Sequence, residues 1–211
     1  DFARKDRGHR LPATPRFTLR CTERLRTRLG ARAKADLVLP ALAPTTTLGD
    51  WYANLVHAGR TQLVLAISER TFLPVVVPAA PVATLVPRFR AAALAELADV
   101  HRDYPLYDFQ TRRPPEAPLS EEQLAAEAHA MDDWRIGKTA NRTVLGILTD
   151  FSDLLVAYLE DRPLAEVAKI LATTPCSPFY KHATLGSPER VTRALFRGQE
   201  IPQQWLVSTG R

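Results

Sequence analysis

An α+β fold is the class this sequence predicts: a small antiparallel β-meander packed against several helices in a single domain. Two patterns carry the expectation. Between Asp50 and Val77 apolar residues alternate with period two and are interrupted by turn residues, as half-buried strands require. After Pro87 the apolar period lengthens to that of a helix. Composition agrees, because 211 residues at 45% hydrophobic and 24% charged can build one core with extensions.

Residues 1–15 read as a flexible basic arm, charged, containing Pro12 and Pro15, and without periodicity. The domain proper is expected over residues 16–175, with residues 176–211 as a C-terminal extension holding a short helix. Arg16–Thr22 alternates and sets Phe17, Leu19 and Cys21 on one strand face. Glu23–Gly30 reads as a short helix, with Leu25 and Leu29 stacked at i, i+4 and Gly30 stopping it. Ala41–Thr47 is a Pro/Thr loop. The strand Asp50–His57 turns Trp51, Ala53 and Leu55 one way and Asp50, Tyr52 and Asn54 the other. Ala58-Gly59 reverses the chain, and Thr61–Ser68 returns with Leu63, Leu65 and Ile67 on one face. A turn at Ser68–Arg70 leads to the nearly continuous apolar run Phe72–Val77, a third strand covered on both faces. Burial of Trp51, Leu63 and Leu65 follows from this arrangement.

The remainder reads as helix and connector. Pro87–Val100 is helical, Pro87 being tolerated in the first turn, with Phe89, Ala93, Leu94 and Leu97 as its stripe. His101–Pro118 is a loop rich in Pro and Tyr. Ser120-Glu121-Glu122-Gln123 opens a helix with a capping box and carries it to about Met131. Trp134–Thr139 fits a strand or an extended connector. Asn141 or Thr143 opens the best helix of the chain, whose stripe includes Val144, Leu148, Phe151 and Leu155 and is predicted to lie on the meander. Pro163 begins another helix, ending near Thr174-Pro175, and Ser187-Pro188 begins a last one that stops at Gly198.

Charge sits at one end. Residues 1–34 carry eleven Lys/Arg and three Asp/Glu, so the rest of the chain sums to −3 while the whole is +5. Such an arm admits nucleic-acid binding through Arg4, Lys5, Arg7, Arg10 and Arg16, and equally a solubilising role. The opening DFARKDRGHRLP lacks the apolar run of a secretory signal. The longest apolar stretch, Leu73–Val86, is broken by three prolines and falls short of the roughly 20 residues of a membrane helix. A soluble cytoplasmic protein without a membrane partner is expected, and the missing initiator Met suggests a fragment or a trimmed chain.

No complete catalytic, metal or cofactor signature is present. Gly137-Lys138-Thr139 resembles the end of a P-loop, but Asp132 stands where its first glycine belongs. The five histidines never pair at ligand spacing, and Cys21 and Cys176 lie far apart, so neither a metal nor a cofactor is expected. A polar patch remains. Asp50, Tyr52 and Asn54 project together from their strand, and Asn141, Arg142 and Asp150 join them if the Asn141 helix crosses that face. Asp150 and Asp153 at i, i+3 are paired carboxylates or a solvated face, and Gly146 inside the helix suggests a close approach there.

Two runs, Leu48-Gly49-Asp50-Trp51-Tyr52-Ala53-Asn54-Leu55 and Asn141-Arg142-Thr143-Val144-Leu145-Gly146, resemble a bacterial domain of unknown function. Arg20-Cys21-Thr22 with Leu25, and Thr174-Pro175, are similar to that family as well, so the likeness spans residues 18–175. The chain departs from it at Thr149-Asp150, where the family has an Asn-Asp pair, in the loop 102–118 and in residues 176–211. The resemblance implies a small stand-alone domain, at times plasmid-associated, with no established activity. Three functional readings follow: a non-enzymatic binding or interaction module with a protein partner, a small hydrolytic or nucleotide-handling enzyme using the Asp/Asn/Arg patch, and nucleic-acid binding through the arm.

Overall fold

A computed structural model of the chain describes residues 17–37, 43–102, 119–176, 186–199 and 201. The arm, most of the Pro/Tyr loop and the ends of the C-terminal extension lie outside the described residues. In chain order the elements are β1 (Phe17–Cys21), α1 (Glu23–Leu29), α2 (Ala31–Asp36), β2 (Trp51–Ala58), β3 (Thr61–Ser68), β4 (Pro74–Pro78), α3 (Leu85–Arg102), α4 (Glu121–Ala130), β5 (Trp134–Lys138), α5 (Arg142–Tyr158), α6 (Leu164–Thr173) and α7 (Pro188–Phe196).

The strands form one mixed sheet in the order β4-β3-β2-β1-β5. β2, β3 and β4 are the antiparallel meander that the alternation predicts. β1 lies parallel to both β2 and β5, so the meander is one half of a larger sheet. Parallel neighbours need a crossover, and α1 and α2 supply it between β1 and β2. Trp134–Lys138 is therefore a strand rather than a connector.

Helices cover both faces. On one, Phe17, Leu19, Trp51, Ala53 and Leu55 meet Leu25 of α1 and Phe89, Ala93 and Leu97 of α3. Trp51 packs edge-on against Phe89 with ring centroids 5.2 Å apart. On the other, Tyr52, Val56, Leu63, Leu65 and Ile67 meet Val144, Leu148, Phe151 and Leu155 of α5, with Val167 of α6 and Val191 of α7 beyond. The stripe predicted for the Asn141 helix lies on the meander. Each apolar side chain buried there contributes about 1.5–3 kcal/mol.

Local chemistry sets the helix starts. The Ser120 hydroxyl accepts from the Gln123 N–H at 3.1 Å, and the Gln123 side chain accepts from the Ser120 N–H at 3.0 Å, a complete capping box. Asn141 Oδ1 accepts from the N–H groups of Thr143 and Val144 at 3.0 and 3.3 Å.

One expectation is corrected. Phe72 is not in the third strand: its φ of 58° is left-handed, its side chain is fully buried in the α5-side core, and β4 starts at Pro74 on the sheet edge. Gly30 ends α1 at φ 65°, the stop the sequence predicts there, and the chain continues directly into a second helix, α2. Within residues 176–211, α7 packs onto the α5-side core. Val191 and Ala194 are buried, the Thr192 hydroxyl donates to Thr71 Oγ1 at 2.8 Å, and Arg193 donates to the Val100 carbonyl in the last turn of α3.

Candidate functional site

The polar patch becomes a seam between two parallel strands. The register pairs Leu19 with Trp51, Arg20 with Tyr52 and Cys21 with Ala53. Thr18, Arg20 and Thr22 therefore stand beside Asp50, Tyr52 and Asn54 on the α5 side of the sheet. Across the next ladder Thr18 pairs with Arg135 and Arg20 with Gly137. The β1–β5 half of this face thus carries polar side chains or none.

Asp50 is 0% exposed. One oxygen accepts from the Thr18 N–H at 2.8 Å, continuing the β1–β2 ladder one step with a side chain. The other accepts from Arg20 Nε at 2.8 Å and Nη2 at 2.7 Å. Arg20, whose side chain is 20% exposed, also donates to the Lys138 carbonyl at 3.3 Å and lies 5.9 Å from the Tyr52 ring centroid. Arg135 Nε donates to the Thr18 hydroxyl at 3.2 Å, which sets a second guanidinium near Asp50.

On the far side of Asp50 stands Glu69, only 4% exposed. Its N–H donates to the Asp50 carbonyl at 2.7 Å, and its carboxylate accepts from the Tyr52 hydroxyl at a long 3.4 Å. Burial pushes the Asp50 carboxyl above its ordinary range despite the opposing pull of Arg20. Burial, with the charge of Asp50 added, does the same to Glu69. Tyr52 is likewise raised, by burial and then by the charge of Glu69. The Asn141 backbone is near enough to the Tyr52 hydroxyl to oppose that rise, so the two sequence motifs meet near this phenol.

The remaining patch residues divide. Asn54, half-buried, accepts from the Thr22 hydroxyl at 3.0 Å and donates to Ser152 Oγ at 3.3 Å, tying α5 to the seam. Asn141 spends its side chain on the cap. Arg142 and Asp150 are exposed on α5 and make no hydrogen bond or ion pair among the described residues. Asp153 is exposed as well, and a Cβ at Gly146 would meet nothing within 4 Å, so no close approach explains that glycine. Gly137 is the crowded one: a Cβ there would lie 2.5 Å from the Thr18 methyl.

Sequence reasoning missed Glu69, Arg20, Thr18 and Arg135. Glu69 was within reach. The Ala58↔Thr61 pairing at the two-residue turn fixes the hairpin register, which runs to Trp51↔Ser68 and, one step on, to Asp50 beside Glu69. Arg20, Thr18 and Arg135 arrive through parallel pairings of distant segments, which no local pattern encodes.

Among the described residues no group of three or more His, Cys, Asp or Glu side chains is placed to hold a metal ion. Cys21 and Cys176 are buried free thiols, each pushed up to about 12 by burial. No described helix is long and apolar enough to cross a membrane. Over residues 18–190 the sequence matches a family model described as Domain of unknown function (DUF6933). No curated protein and no solved structure matches it.

Proposed function

Because the chain belongs to this family of unknown function, we propose that it is a non-enzymatic binding or interaction module. Saturation of Asp50 carries the reading. Both of its oxygens are engaged by Thr18 and Arg20, and at 0% exposure neither is open to a substrate. The two cysteine thiols are buried and far from a reactive thiolate state. Arg142, Asp150 and Asp153 are on the open face of α5, available to a partner without disturbing the seam.

A small enzyme is the second reading, and one observation favours it. Asp50 and Glu69 are neighbouring acids, both raised, with the Tyr52 phenol on Glu69, which is the raw material of acid–base chemistry. Nucleic-acid binding through Arg4, Lys5, Arg7, Arg10 and Arg16 is the third. Three further cations of the basic end, Arg20, Arg26 and Arg32, are already paired with Asp50, Glu23 and Asp36.

The purified chain and its Asp50→Asn variant, assayed on phosphomonoester, phosphodiester, nucleoside triphosphate and carboxyl ester substrates, separate these readings. No turnover above background by either protein is expected. Turnover by the wild type that Asp50→Asn abolishes while remaining folded would establish the enzyme. A gel shift at low salt that fades as salt rises would establish the third reading.

A further inference from the structure

A concavity lies at the opposite end of the meander from Asp50. There the β2–β3 turn faces the corner where α5 gives way to α6, enclosing a groove of about 500 Å³. That volume falls within the range of roughly 300–1,000 Å³ typical of small-molecule sites. Its walls are apolar: Leu63 from β3, Val156 and Leu159 from the end of α5, and Leu164 from the start of α6. Two polar residues interrupt them, Thr61 and Glu160.

Two observations give the groove a sign. Among the described residues lining it, Glu160 alone is charged, and it is exposed. The groove also sits at the C-terminal end of the 17-residue helix α5, where the last carbonyls present the negative end of the helix dipole. Of the nearby cations, Arg162 is engaged by Asp161, Glu166 and the Tyr158 ring, and Arg60 at the turn is not among the lining residues. The residue types match the general form of a ligand site, apolar walls with a small number of placed polar groups.

We propose that this groove binds an amphiphilic cation, an alkyl or aryl amine whose apolar body lies against Leu63, Val156, Leu159 and Leu164 and whose ammonium group pairs with Glu160. The inference rests on the reading of the domain as a binding module and supplies the chemical class of its ligand. The turn at Gly59, with φ 57°, keeps a side chain out of the mouth of the groove, where an L-residue would be strained.

Calorimetric titration of the full chain tests it, with dodecyltrimethylammonium as the cationic probe and dodecyl sulfate as the anionic one, both below micellar concentration. Saturable one-to-one binding of the cation is expected, with the anion weaker by about tenfold or more, the scale of one partly desolvated charge contact. Glu160→Gln should narrow that preference. Val156→Trp, which fills the groove, should remove binding. Thr61→Trp, on the exposed end of β3, repeats the blockade from the other wall should Val156→Trp fail to fold. Equal binding of both probes, binding unchanged by either tryptophan, or no saturable binding overturns the proposal. Substrate turnover dependent on Asp50 would overturn the binding-module reading instead, leaving the titration result distinguishable from it.

Discussion

The two sides of strand β2 alternate with the same period and are held by opposite chemistry. Trp51, Ala53 and Leu55 enter an apolar layer against α1 and α3. One residue out of step, Asp50, Tyr52 and Asn54 enter a seam of hydrogen bonds and one ion pair, with β1 on one flank and α5 above. Both sides are buried or nearly so. The polar side of an alternating strand is therefore not automatically its water side. Where another strand brings Thr, Arg and Thr into register, polar residues become a second internal interface.

This comparison is broken or sharpened most strongly at Asp50. Asp50→Ala removes the partner of a mostly buried guanidinium and strands the Thr18 N–H, which costs about 3–5 kcal/mol. Trp51→Ala on the apolar side costs a similar 3–5 kcal/mol or so through its cavity. Asp150→Ala, at an acid the sequence placed in the same patch, changes stability by less than about 0.5 kcal/mol. Urea denaturation of the three variants measures all of this. An Asp50→Ala cost as small as that of Asp150→Ala would dissolve the distinction.

The two glycines come next. Gly137→Ala drives a methyl into Thr18 on the seam and is expected to destabilise by about 1–3 kcal/mol. Gly146→Ala meets open space on the exposed face of α5 and is expected to stabilise by up to about 1 kcal/mol through helix propensity. Thermal melts read both, and opposite signs are the result that supports the geometry.

Most of this architecture was legible because it is local. Alternation around Ala58-Gly59 gives β2 and β3, Ser120 marks its helix to the residue, and of the two starts open for the next helix, Asn141 and Thr143, Asn141 is the cap. The seam was half legible. The motif Gly49-Asp50-Trp51-Tyr52 announces a polar strand face, and the hairpin register leads from Asp50 to Glu69. Its other half comes from β1 and β5, whose parallel pairing depends on crossovers and not on nearby residues. Phe72 illustrates the same limit: an apolar residue in an apolar run reads as strand, and only tertiary burial holds it at φ 58°.

The pH response gives a smaller effect with a defined sign. Asp50 and Glu69 are both raised by burial, so folding favours their protonated forms. Their stabilising contribution is complete below the ordinary carboxylate range near ~4 and is lost as pH rises through the folded values. Glu69→Gln cannot titrate. The melting temperature of the wild type should therefore fall relative to that of Glu69→Gln as pH rises above the ordinary carboxylate range. A gap moving the other way would mean that Arg20 and Arg135 outweigh burial.

Whether the polar side of β2 is a fastening or an open site is decided most directly by a double-mutant cycle on Asp50→Asn and Arg20→Gln, measured by urea unfolding. The 2.7–2.8 Å contacts between these groups, with Asp50 at 0% exposure, predict that each single change destabilises the fold. They also predict a coupling energy of about 1.5 kcal/mol or more between the two positions. Two unchanged unfolding curves with no coupling would contradict the fastening and return Asp50 to the candidates for a working site.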